Sequence, residues 1–87
     1  MDAPFLDHYQ KGLAFHKGGR LDAALAEFRA ALKIPPDSAA VHCNLGIVLA
    51  HQGRLEDAIA AFRTAIKLDP RHAVSHYNLG KTLDAKG

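Results

Sequence analysis

The chain has 87 residues, a formal net charge of +2 and a hydrophobic fraction of 48%, which is room for one small domain and little surplus core. Its basic residues alternate with acidic ones, which excludes the basic tail or patch of a nucleic-acid or anionic-membrane binder. One cysteine, Cys43, excludes an internal disulfide, and no run approaches the roughly 20 apolar residues of a membrane span.

In chain order, the first helix is expected from about Pro4 to Lys17, since proline suits a first helical turn. Gly18-Gly19 makes a turn, and a second helix runs from about Leu21 to Ile34, where Pro35-Pro36 stops it. Asp37 or Ser38 can cap a third helix, on which Val41, Leu45, Val48 and Leu49 recur at three- and four-residue steps. Gln52-Gly53 breaks that helix. Leu55, Ala58, Ile59, Phe62, Ala65 and Ile66 restart the period, Asp69-Pro70 ends it, and a fifth helix covers about Ala73 to Lys86. Asp22, Glu56 and Asp57 fall in first turns, and Lys33 and Lys67 in last turns, each complementing the helix dipole. No β-branched alternation calls for a strand. The expected fold is all-α with short connections.

The helices repeat. Gly12, Gly46 and Gly80 recur every 34 residues, a period that marks a stacked array. His8, His42 and His76 stand four residues before them, and Gln10, Asn44 and Asn78 two residues before them. Arg20-Leu21-Asp22 matches Arg54-Leu55-Glu56, Ala24 matches Ala58, Phe28-Arg29 matches Phe62-Arg63, and Pro36 matches Pro70. A glycine inside a helix costs about 1 kcal/mol relative to alanine. That cost is expected where another helix comes too close for a side chain, with Ala24 and Ala58 facing the glycines and Phe28 and Phe62 filling space beside them.

These residues resemble a tetratricopeptide repeat: Asn-Leu-Gly at 44–46 and 78–80, Gly-Arg-Leu, the Ala/Phe/Ala spacing and Leu68-Asp69-Pro70 together carry the resemblance. It covers the chain from Phe5 onward, as one domain over 1–87 with repeats at 5–38 and 39–72 and a half repeat at 73–87. It departs from the family at His8, His42 and His76, where tryptophan is common, and at Lys11, where leucine is preferred.

The resemblance implies a right-handed superhelix of antiparallel helix pairs, two and a half repeats long. The first helix of each pair would line a concave groove for an extended peptide or a partner helix. Carried over slot by slot, the groove takes Leu6, Tyr9, Gln10, Leu13, His16 and Lys17 from the first repeat. The second repeat adds Ala40, Cys43, Asn44, Ile47 and His51, and the third adds Val74, Tyr77, Asn78 and Lys81. The carboxylate clamp of chaperone-tail readers would need lysines at Tyr9 and Val74, asparagine at Leu13 and a basic residue at Asn78. Only its central asparagine, Asn44, is present, so that specificity is not expected. The pattern is closer to the asparagine ladder of arrays like those on O-linked N-acetylglucosamine transferases and on bacterial multidomain proteins. There, a carboxamide's donors and acceptor pair with a ligand's backbone. Asn44 and Asn78 fit and Gln10 is a longer substitute; the alternative is that these amides bond within their own helices.

No catalytic site, metal or cofactor is expected. His8, His42 and His76 stack across helices whose axes lie about 8–10 Å apart, too far to share a zinc ion at about 2.0–2.1 Å, and are expected as half-buried fillers. His72 and His76 are four apart but lack a third ligand. Cys43 has no placed base to activate it. Asp22, Glu56, Asp57 and Asp84 form no spaced acid–base pair. On the fifth helix, Leu79 and Leu83 keep the internal apolar pattern instead of turning polar as a terminal helix would. The expected function is a non-catalytic module that binds a protein or peptide, with no nucleic acid and no membrane. The alternative is self-assembly, as a homo-oligomer or a longer superhelix, through Leu79 and Leu83. The N-terminal residues lack a secretory signal's basic flank and apolar core, so the expected location is the cytoplasm.

Overall fold

Ala3–Lys17 (α1), Leu21–Ala31 (α2), Ala39–His51 (α3), Leu55–Leu68 (α4) and Ala73–Lys86 (α5) are helical in the computed structural model. The structure describes residues 3–34 and 38–87, and no strand occurs among them. The expected cap Asp37 and the Pro35-Pro36 stop lie outside the described residues.

One boundary differs from expectation. α2 ends at Ala31, short of Ile34. The N–H groups of Lys33 and Ile34 bond the carbonyls of Ala30 and Ala31 at 3.2 and 3.1 Å, a tighter i→i−3 winding. Pro35 has no N–H for the Ala31 carbonyl and disfavours helical geometry at Ile34. Lys33 therefore lies past the helix, and Arg29 is the basic residue of its last turn. At the start of α3, the Ser38 hydroxyl accepts the Val41 N–H at 3.3 Å, an N-cap bond.

The two turns within repeats are built alike. Gly19 and Gly53 both have φ near +80°, in the left-handed region that suits glycine. The Arg20 N–H reaches the Phe15 carbonyl at 2.8 Å and the Gly19 N–H reaches His16 at 3.0 Å. Arg54 to Leu49 and Gly53 to Ala50 repeat this at 2.9 and 3.0 Å. This is the Schellman ending, which satisfies orphan carbonyls and reverses the chain at once. The Arg20 guanidinium covers the Phe15 ring at 5.0 Å.

Each helix packs against the next in sequence, and the first helices of successive repeats also touch. The result is a helical repeat superhelix of 39 × 28 × 16 Å. Phe28 and Phe62 are fully buried, with Ala24, Ala31, Ala58 and Ala65 around them. A Cβ on Gly12 would lie 2.6 Å from the Phe28 ring, and one on Gly46 would lie 2.7 Å from the Phe62 ring. The expected close approach is therefore real at both sites, and the intruding group is the phenylalanine ring. At Gly80 nothing lies within 4 Å of that position.

α5 packs on α4, and two of its buried positions are polar where apolar residues were expected. Ser75 and Thr82 are buried in the repeat slots where α3 carries Val41 and Val48. Their hydroxyls are satisfied: Ser75 Oγ lies 2.7 Å from His72 Nδ1, and Thr82 Oγ1 donates to the Asn78 carbonyl at 2.7 Å. Leu79 is half-buried against the core, while Leu83 stays 40% exposed.

Candidate functional site

α1, α3 and α5 stand side by side and form one face of the superhelix, on which two depressions open. The first, of about 210 Å³, is lined by Tyr9, Ala40, Cys43, Asn44, His72 and Val74. The second, of about 170 Å³, is lined by Ile47, Ala50, His51, Asn78, Lys81, Thr82 and Ala85. Of the expected groove residues, Tyr9, Ala40, Cys43, Asn44 and Val74 line the first, and Ile47, His51, Asn78 and Lys81 line the second. Leu6, Gln10, Leu13, His16, Lys17 and Tyr77 line neither. Gln10 and Leu13 are exposed on α1, and Tyr77 is 67% exposed on α5, with the Lys81 ammonium 5.4 Å from its ring centroid.

The carboxamides are partly engaged within the protein. Asn44 Nδ2 donates to the Tyr9 hydroxyl at 3.1 Å and to the Ala40 carbonyl at 3.0 Å. Asn78 Nδ2 donates to the Val74 carbonyl at 2.8 Å. Each carboxamide nitrogen has two hydrogens, so Asn44 spends both and keeps its oxygen to accept, whereas Asn78 keeps one donor and its oxygen. Tyr9 is itself held between rings: it stacks on Phe5 at 6.1 Å with planes 18° apart and meets Phe28 at 6.2 Å. The Asn44–Tyr9 bond thus ties the second repeat to a rigid aromatic cluster of the first.

Two histidines of this face form a pair that the pattern did not suggest. His16 Nε2 lies 2.9 Å from His51 Nδ1, with ring centroids 5.0 Å apart. Burial, and then the His51 charge, lower the His16 pKa below its usual 6.5. The two lie 35 residues apart, one beyond the repeat period, so slot-by-slot comparison does not match them; both do sit in the last turn of a first helix.

Cys43 is buried. Burial pushes its thiol pKa up, against a smaller opposing effect from a hydrogen bond with Ser75, so it is a packed small side chain with little thiolate character. His8 Nδ1 pairs with Glu27 at 2.7 Å, and His76 Nε2 bonds the Pro70 carbonyl at 2.8 Å. His8 is half-buried as expected, whereas His76 is exposed, so the expectation of a half-buried filler fails there: its ring lies at the surface and is held by the Pro70 carbonyl. Among the described residues no three His, Cys, Asp or Glu come together as a metal site, and no helix is long and apolar enough to cross a membrane. The acidic side chains serve ion pairs and bonds between helices: Asp57 with Arg54 at 2.9 Å, Glu56 with Lys86, and Asp22 accepting from Gln52 Nε2 at 2.7 Å.

A family model described as tetratricopeptide repeat matches residues 9–73 and again 43–87. No curated protein sequence matches. A solved structure described as the TPR2B-domain:pHsp70 complex of yeast Sti1 superposes with a TM-score of 0.93 at 19% identity, covering 97% of this chain and 67% of that one. An Arabidopsis OM64 TPR domain gives 0.90 at 18% identity, covering 93% and 67%. At such identities the likeness is one of fold.

Proposed function

The chain belongs to the tetratricopeptide repeat family, and on that premise we propose that its concave face binds an extended peptide segment or a partner helix. The family is a protein-interaction family and generally non-catalytic, and the yeast structural neighbour is described as bound to a pHsp70 partner. The observation that carries the reading is the depression between α3 and α5. Ile47, Ala50 and Ala85 line it with apolar groups, and His51, Asn78, Lys81 and Thr82 with polar ones. An apolar hollow with a few convergent polar groups is the usual form of a recognition site. It suits one apolar side chain flanked by a carboxylate or a backbone carbonyl. The low net charge supports a protein partner over nucleic acid or lipid, and the single cysteine is in keeping with a cytoplasmic setting.

The test is selection from a displayed library of random peptides, followed by affinity measurement on variants. Ile47→Asp and Asn78→Ala should each weaken a selected peptide by about tenfold or more, equivalent to about 1.4 kcal/mol. Selected peptides indifferent to both substitutions would remove the groove from consideration.

The exposed face of α5 supports a second reading, in which the chain assembles with itself or lengthens its superhelix through this helix. Leu83 is 40% exposed there, whereas Leu49, in the same repeat slot of α3, is 3% exposed. Light scattering across a dilution series tests the self-association form, and a mass that stays at 9.4 kDa would exclude it.

A further inference from the structure

We propose that His16 and His51, at the ends of α1 and α3, form a two-histidine site for a divalent transition-metal ion of square or octahedral habit, Ni2+ or Cu2+, which ties the first repeat to the second. His51 also lines the depression between α3 and α5, but the site needs no peptide and does not depend on the groove reading.

The spacing of the two nitrogens carries the assignment. Two imidazoles that hold an ion at about 2.0–2.1 Å and at a right angle, as in tetragonal and octahedral sites, set their nitrogens about 2.9–3.0 Å apart. A tetrahedral angle sets them about 3.3–3.4 Å apart. His16 Nε2 and His51 Nδ1 stand 2.9 Å apart. With the ring centroids at 5.0 Å, the rings meet nearly head-on, so each has to turn for both lone pairs to converge beside the line that joins them. His51 is exposed and His16 half-buried, which leaves room for that turn and for water at the remaining positions of the ion.

The hydrogen between the rings is no obstacle. Two neutral imidazoles share one hydrogen there, and the ring that carries it can hold it on its other nitrogen instead. Coordination then forms two bonds from nitrogen to metal and releases no proton from a neutral pair. The backbone favours a cation at this place. Both histidines lie in the last turn of their helices, where the helix dipole puts partial negative charge. Lys17 adjoins His16 in the chain and Lys81 lines the same depression as His51. Both ammonium groups are exposed, so their repulsion acts through water.

The pair exists only in the folded chain. Its members are 35 residues apart, so an ion held by both stabilises the fold. His72 and His76, four residues apart at the start of α5, are the competing pair, and each already has one ring nitrogen engaged. His72 Nδ1 lies 2.7 Å from the Ser75 hydroxyl, and His76 Nε2 bonds the Pro70 carbonyl at 2.8 Å.

The test is calorimetric titration of Ni2+ into the untagged 87-residue protein at about pH 7.5, above the ordinary imidazole range, with thermal unfolding and amide NMR alongside. The expected result is one ion per chain, a melting temperature that climbs with Ni2+ concentration, and paramagnetic broadening centred on His16 and His51. His16→Gln and His51→Gln, each checked for an intact fold by circular dichroism without metal, should weaken binding at least about tenfold and remove the rise in melting temperature. His76→Gln should change neither. Zn2+, which takes the wider tetrahedral angle, should bind more weakly than Ni2+. Wild-type affinity in either the His16 or the His51 variant would overturn the proposal, as would loss of binding in His76→Gln, tighter binding of Zn2+ than of Ni2+, or a dimer that forms on adding Ni2+.

Discussion

The Phe62 ring stands where a side chain on Gly46 would be, with its nearest carbon 2.7 Å from the position of a Cβ. The same relationship holds between Phe28 and Gly12 and fails at Gly80, so one substitution has opposite signs at equivalent sites. Gly12→Ala and Gly46→Ala should each destabilise by about 1–3 kcal/mol, because a closely packed ring must shift to admit the methyl. Gly80→Ala should stabilise by up to about 1 kcal/mol through helix propensity alone. Urea unfolding of the three variants checks this, and equal effects at all three sites would show that the ring contact is not what sets the cost.

Truncating the ring tests the other partner. Phe62→Ala should cost about 3–5 kcal/mol, a large share of the stability available to a domain of this size. Thermal unfolding should place this variant well below Gly46→Ala.

Thr82 carries a prediction of the reverse kind. It is buried in the slot that α3 gives to Val48, and its hydroxyl donates only to the Asn78 carbonyl within its own helix. That carbonyl is also within reach of the Thr82 backbone N–H by the helical i→i−4 pattern. Thr82→Val keeps the shape, removes a buried hydroxyl and leaves no acceptor stranded. It should raise stability by roughly 0.5–1 kcal/mol, measured as an upward shift of the urea midpoint; a loss of stability would show that the hydroxyl bond outweighs apolar burial here.

The period made most of this architecture legible. Glycines at 34-residue steps, phenylalanines sixteen residues after the first two of them and the Gly-Arg-Leu turns locate both helix pairs and their contact. What stayed hidden depends on contacts that a one-dimensional pattern does not encode. Ser75 and Thr82 are polar residues in apolar slots, and only satisfaction of their hydroxyls allows their burial. The early end of α2 depends on where the Ala31 carbonyl finds a donor. Asn44 and Asn78 were legible as a repeated feature, but the Tyr9 hydroxyl that occupies one donor of Asn44 lies in another repeat.

Tyr9→Phe separates the structural role of that hydroxyl from recognition. It removes the bond between repeats and should destabilise by about 0.5–1.5 kcal/mol, while freeing one Asn44 N–H. A ligand that reads its carboxamides should then bind as tightly or more tightly, whereas Asn44→Ala should weaken it. Calorimetry with a selected peptide decides, and parallel losses in the two variants would point to Asn44 as a repeat-to-repeat strut only.

The His16–His51 contact makes stability depend on pH with a definite sign. At 2.9 Å one ring nitrogen must donate and the other accept, so at least one imidazole has to be neutral. Burial, and secondarily the His51 charge, hold the His16 pKa below the value of 6.5 that it takes when unfolded. Between that lowered value and 6.5 the unfolded chain binds a proton that the folded chain refuses. The contribution is therefore complete above pH 6.5 and is lost as pH falls through the folded value. The chain has six histidines, so the informative quantity is the difference between wild type and His16→Gln. From about pH 7.5 to about pH 5, wild type should lose more stability in urea melts than the variant, and the His16 ring resonances should titrate below those of an unfolded reference. Identical pH profiles for the two proteins would show that the pair is a bystander and that the acid sensitivity lies in the other histidines.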